Sequence, residues 1–157
     1  MKTDCFLDTN LLVYAYDRSE PDKQTKAQQL LNYLAERGLG SVSAQVLSEF
    51  YVAVTRKIAA PLSSAEAAER LRNHFQTWTV LEVTGPIVLE AARGVTEHQF
   101  PFWDAQIWAT AKLNQIPLVL SEDFRDGAFV EGVRFLNPFR EGFELGQQLD
   151  RDPCRPR

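Results

Sequence analysis

Cys5-Phe6-Leu7-Asp8 and Pro117-Leu118-Val119-Leu120-Ser121-Glu122-Asp123 are the two stretches on which the reading of the fold turns. Each is a short apolar run followed by an acidic residue. Runs this short and this uniformly apolar read as strands buried on both faces, which is the environment of a parallel sheet. In open α/β sheets ligands bind in the crevice beyond the carboxyl ends of the strands, and Asp8 and Asp123 would sit there.

The chain between these runs alternates strand and helix signals. After Asp8 an apolar segment continues from Asn10 to Tyr16, and 23–37, with Leu30, Leu31 and Leu34 among polar residues, reads as an amphipathic helix. Gly38 and Gly40 end it, Gly40-Ser41-Val42 forms a short strand, and Ser43 caps a helix carrying Val46, Leu47, Phe50, Tyr51 and Val54 on one stripe. Glu49 lies beside that stripe. A helix over 64–75 follows Pro61 and a serine cap, then a strand over 78–83, and Pro86 starts a helix that runs to about Thr96. Pro101-Phe102-Trp103 stiffly leads into a helix from Asp104 to Leu113, and after the strand at 117–120 a loop through Asp126-Gly127 reaches a last strand, Val133-Arg134-Phe135. This alternation predicts right-handed βαβ units, a mainly parallel sheet and helices on both faces.

At 157 residues the chain has room for one domain with a substantial core. Its two cysteines, Cys5 in the first strand and Cys154 in a polar tail, provide neither a disulfide framework nor a zinc cluster, so a reducing cytoplasm is the expected compartment. The N-terminus has no signal-peptide pattern, and no apolar run approaches the roughly 20 residues of a membrane span. A net charge of −4 excludes recognition of nucleic acid through a broad basic surface. Arg56, Lys57, Arg70 and Arg72 could still meet phosphates locally, although solvated helix faces are the more ordinary account of them. From Arg140 to Arg157 the pattern fades, and a poorly ordered or partner-dependent tail is expected after a domain spanning 1–139.

Four acids, Asp8, Glu49, Asp104 and Asp123, are the candidate site. Singly, each has a structural role open to it: Asp8 and Asp104 as helix N-caps, Asp123 in a strand-to-helix loop, Glu49 as an exposed helical carboxylate. Jointly, the strand-end acids Asp8 and Asp123 and the acid at the start of the Asp104 helix fall on one edge of a doubly wound sheet. Carboxylates so placed repel one another and expect a cation. His74 and His98 stand alone and there is no Cys-x-x-Cys, so oxygen ligands predominate and Mg²⁺ or Mn²⁺ is favoured over Zn²⁺. Such ions bind phosphate oxygens, which makes phosphodiester hydrolysis the natural chemistry.

Phe6-Leu7-Asp8-Thr9-Asn10, Ser48-Glu49-Phe50, Phe102-Trp103-Asp104-Ala105-Gln106-Ile107 and Leu120-Ser121-Glu122-Asp123-Phe124 resemble, in order and spacing, the motifs of PIN-domain nucleases. The similarity is greatest to VapC-like toxins of toxin–antitoxin pairs and runs from about residue 3 to Phe139. The resemblance implies a three-layer α/β/α sandwich and an Mg²⁺- or Mn²⁺-dependent endoribonuclease acting on RNA, often a homodimer, inhibited by a small antitoxin protein. It implies Asp8 and Asp104 as the main metal ligands, Glu49 as a ligand directly or through water, and Asp123 as a ligand or a positioner of a second ion. Asn10 and Ser121 would support them, while Glu122 and Asp126 read as loop or capping residues.

Other classes fit less well. A signalling receiver domain needs a lysine near the end of its last strand, and the only lysine of the second half is Lys112, inside a helix. A haloacid-dehalogenase-like phosphatase wants an aspartate two residues after Asp8, where Asn10 stands. A PIN-like binding module without turnover, or an RNA-processing nuclease that is not a toxin, stays open at this level.

Overall fold

The computed structural model describes residues 5–150, with side chains as far as Gln148. In chain order the elements are β1 (Cys5–Leu7), α1 (Thr9–Tyr14), α2 (Pro21–Arg37), β2 (Gly40–Ser43), α3 (Ala44–Arg56), α4 (Ser64–Thr77) and β3 (Thr79–Leu81). They continue with α5 (Gly85–His98), α6 (Phe102–Leu113), β4 (Leu118–Leu120), β5 (Phe129–Val130), β6 (Val133–Leu136) and α7 (Leu145–Asp150). The strands form one sheet in the order β3-β2-β1-β4-β6-β5, parallel throughout except for the β5–β6 pair. This is the three-layer α/β/α arrangement expected from the alternation of strand and helix signals.

The central strands are apolar because both faces are covered: Cys5, Phe6, Leu7, Val119 and Leu120 are fully buried. Most of the helices bury one side only, whereas α6 is buried all round from Ala105 to Ala111. In α3, Val46, Phe50 and Val54 are buried, and Ser43 accepts from the Val46 backbone N–H to cap the first turn. α4 begins with a reciprocal capping box between Ser63 and Glu66. The buried His74 of α4 accepts a hydrogen bond from the Trp78 indole, 3.0 Å, and burial lowers its pKa to about 4. It is a neutral core histidine.

Three local differences from the expected elements matter for the site. The chain turns directly from Asp8 into α1, with the Asp8 carboxylate accepting from the Thr9 N–H. α6 starts at Phe102 rather than Asp104, which places Asp104 within the first helical turn rather than at the cap. β5 is an additional antiparallel strand, so Asp123 lies in a strand-to-strand loop and not in a strand-to-helix loop. The β5–β6 turn has φ of +47° at Glu131 and +89° at Gly132, a two-residue hairpin whose left-handed first residue is not an Asn, Asp or Gly.

The tail expected from residue 140 divides at the limit of the described chain. Residues 151–157 lie outside it, whereas Leu145 at the start of α7 is buried and Phe143 packs against the core. Among the described residues, no helix is long and apolar enough to cross a membrane.

Candidate active site

The sheet order reverses direction between β1 and β4. The chain first builds outward through β2 and β3, then crosses back over β1 to lay down β4. A crevice forms at the carboxyl edge of such a switch point because the connections leaving the two neighbouring strands diverge to opposite faces. Asp8 and Ser121 are the first residues beyond β1 and β4. Leu7 pairs with Leu120 in the parallel register, so Asp8 and Ser121 emerge side by side, and Ser121 Oγ donates to Asp8 Oδ2 at 2.6 Å.

The remaining members arrive on helices. α3 leaves the end of β2 at the same edge and carries Glu49 in its second turn. α6 precedes β4 and runs opposite to it, so its N-terminus, with Asp104, returns to that edge. A carboxylate in the first turn also meets the favourable end of the helix dipole.

Hydrogen bonds join these groups. Asn10 Nδ2 donates to Asp123 Oδ2 at 3.1 Å and to Ser121 Oγ at 3.3 Å, and Ser121 Oγ accepts from the Asp123 N–H at 3.0 Å. Thr9 Oγ1 donates to Glu49 Oε2 at 2.7 Å, tying α1 to α3. Glu122 turns away: it accepts from Tyr14 and pairs with Lys23 at 2.9 Å. Asp126 is engaged by the Asn137 N–H and by Arg140. Of the three carboxylates in this loop, Asp123 is the one that bonds Asn10.

Asp8 is only 4% exposed. Burial pushes its carboxyl up to about 7, against the bonds from Ser121 and Thr9 and with added repulsion from Asp123 and Glu49. The half-buried Asp104 is raised for the same reasons: first desolvation, then Asp123 and Glu49. The four predicted acids therefore share one electrostatic neighbourhood.

Whether this donor set fits a divalent ion is a matter of chemistry and vacancy. All four acids offer oxygen, and Asn10 Oδ1 is buried with no donor among the described residues. Both properties suit Mg²⁺ or Mn²⁺. Another acidic group is more tightly gathered. The ligand atoms of Glu97, His98 and Glu131 lie within 4.8 Å of one another, closer than any three of the predicted acids. That cluster already has its cations, because Arg93 bonds Glu90, Glu97 and Glu131, Lys112 bonds Glu90 and Glu131, and His98 contacts Glu131 at 2.6 Å. It is a surface ion-pair network.

Three polar residues at the site were not among the candidates. Thr9 holds Glu49, while Gln45 and Gln106 are buried beside it and bonded to each other. A signal for the first glutamine existed: Gln45 stands one helical turn before Glu49, so both point the same way.

The fold and the acid-lined switch point define a class, an α/β/α domain with a carboxylate site at the edge of its parallel sheet. The PIN-domain family profile matches residues 5–129, and the chain belongs to the PIN domain family. No curated protein sequence matches the chain. Among solved structures, a toxin–antitoxin complex from Klebsiella pneumoniae is similar with a TM-score of 0.63 and 20% identity, over 85% of this chain and 97% of that one. VapC20 from Mycobacterium tuberculosis, a toxin that cleaves the sarcin–ricin loop, has a TM-score of 0.63 and 20% identity, over 83% of this chain and 98% of its own. VapBC2 from Rickettsia felis, bound to a DNA fragment from its promoter, has a TM-score of 0.62 and 16% identity, over 83% and 96%.

Proposed function

We propose that this PIN-domain protein is a metal-dependent endoribonuclease and the toxin of a toxin–antitoxin pair. The observation that carries the reading is the gathering of Asp8, Glu49, Asp104 and Asp123 from four separate segments into one electrostatically coupled group at the switch-point edge, with Asp8, Glu49 and Asp123 held there by hydrogen bonds. In this reading Asp8 and Asp104 are the main ligands of Mg²⁺ or Mn²⁺, Glu49 is a further ligand directly or through water, and Asp123 is a ligand or positions a second ion. A divalent ion held there supplies Lewis acidity toward the phosphate and makes water a stronger acid.

The protein's own residues do the rest. Ser121 and the Thr9 N–H fix both oxygens of Asp8, Thr9 Oγ1 fixes Glu49, and Asn10 fixes Asp123. With its pKa raised to about 7, Asp8 is partly protonated at neutral pH, and a cation held there would favour its carboxylate form. The carboxylates repel the RNA backbone, and a cation held among them would offset that repulsion.

Structural likeness to toxin–antitoxin complexes supports a small antitoxin as partner. A homodimer in the cytoplasm, with the nuclease within 1–139, completes the proposal. The test is cleavage of a mixed pool of structured RNAs by wild type and Asp8→Asn in Mg²⁺, in Mn²⁺ and in chelator. Cutting by metal-supplied wild type alone is the expected result. Folded, antitoxin-free wild type that binds RNA in chelator and cuts nothing in either metal overturns it in favour of a binding module.

A further inference from the structure

Gln45 and Gln106 are buried side chains, 8% and 5% exposed, on facing helices of a largely apolar core. Buried amides persist where their hydrogen bonds are made, and these two make a directed chain. Gln106 Nε2 donates to Gln45 Oε1 at 2.8 Å. Gln45 Nε2 then donates twice, to Glu49 Oε1 at 2.8 Å and to the Trp103 carbonyl at 3.1 Å. The chain thus runs from α6 across to the carboxylate of α3 and back to the peptide next to Asp104.

The direction is dictated at its far end. An amide has a donor side and an acceptor side, and a reversed Gln45 would set its oxygen against the Glu49 carboxylate and the Trp103 carbonyl. The N–H of Gln106 holds Gln45 in the productive orientation. Glu49 is then gripped on both oxygens, by Gln45 on Oε1 and by Thr9 on Oε2, and each oxygen keeps a further lone pair. Trp103 precedes Asp104, so the same amide that orients Glu49 also fixes the backbone bearing Asp104.

The geometry points to Gln45 and Gln106 as positioning residues that lock Glu49 on α3 to Asp104 on α6, so that the two carboxylates meet a divalent cation as one preset unit. The inference rests on the reading of Glu49 as a cation ligand. Preset ligands bind more tightly because no ordering remains to be done when the ion arrives.

The test is Mn²⁺ affinity of the full chain by titration calorimetry, beside melting followed by circular dichroism in EDTA. Gln106→Met, Gln106→Leu and Gln45→Met each sever the link, and any one that folds decides the matter. The expected result is Mn²⁺ binding about tenfold weaker, the scale on which ligand-orienting partners act. In a Glu49→Gln background, Gln106→Met should cost less than it does in wild type, since part of its effect passes through Glu49 and only the branch to the Trp103 carbonyl remains. Wild-type Mn²⁺ affinity in Gln106→Met, with or without a lower melting temperature, reduces the pair to packing and overturns the inference, as does a fully additive double variant. If wild type itself binds no Mn²⁺, or Glu49→Gln leaves the affinity unchanged, the metal reading of Glu49 falls and this inference with it. Mn²⁺ binding sensitive to Glu49 but not to Gln106 sinks the inference alone.

Discussion

Asp8 shows how one side chain can be chosen against stability. Its carboxyl is buried among other carboxylates and titrates near 7, far above the 3.8 of an exposed aspartate. Between those values the folded chain holds a proton that the unfolded chain has lost, so metal-free stability due to Asp8 is present below about pH 4 and is lost as pH rises through about 7. His74 acts in the opposite sense, since its folded pKa is lowered to about 4 and its burial penalises low pH. The clean quantity is therefore the difference between wild type and Asp8→Asn in chelator. We expect the variant to melt increasingly above wild type as pH goes from 5 to 8, by several degrees at pH 8, each kcal/mol being about 2–4 °C for a chain of this size. Mn²⁺ should restore wild type and leave the variant unmoved. A difference that is flat across this range would mean that Asp8 is not a strained carboxylate. Loss of Ser121 should act through the same residue: Ser121→Ala removes the donor to Asp8 and the acceptor for Asp123 and Asn10, and a loss of about 10–100-fold in cleavage is expected in the RNA assay.

At the scale of elements, the α5–α6 pair sets where Asp104 comes to rest, and its closeness depends on Gly94. A β-carbon there would lie 2.8 Å from the ring of Trp108, which is fully buried and tethered through its indole N–H to the Val130 carbonyl. Alanine in a helix is ordinarily better than glycine by about 1 kcal/mol. Here the clash exceeds that gain, because the tethered ring cannot withdraw, and overpacking of this kind costs about 1–3 kcal/mol. Gly94→Ala should therefore lower the denaturation midpoint in urea, and a raised midpoint would show that the ring yields. Much of this level could be read from the chain: strand runs, serine caps and the glycines after α2 place most elements within a few residues. The β5–β6 hairpin could not, because Glu131 adopts a left-handed φ that the hairpin tolerates and that turn preferences do not signal. The start of α6 is hidden in the sequence for a related reason. Pro101 supplies a fixed φ but no side-chain cap, leaving nothing in the sequence to mark Phe102 as the first helical residue.

For the molecule as a whole, the residues beyond 139 give the domain its last buried apolar side chain, Leu145. Deleting 141–157 should lower the melting temperature by several degrees, while metal-dependent cleavage by the remaining folded protein persists; abolished cleavage in a folded deletion would place part of the site in that segment. Sequence by itself determined the fold class and named the four acids, because strand and helix periodicity is a local property and because two acids beyond buried apolar runs and two on helices fall in the order and spacing of family motifs. What only the tertiary structure decided is how those acids are held. Thr9, Gln45 and Gln106 are unremarkable polar residues until α1, α3 and α6 meet, and that Asp123 bonds Asn10 across the sheet edge while Glu122 turns to Tyr14 and Lys23 is visible only in three dimensions. Hydrogen bonds between residues some 40 to 110 positions apart leave no trace in local pattern, and they exist only once the parallel register has set β1 beside β4.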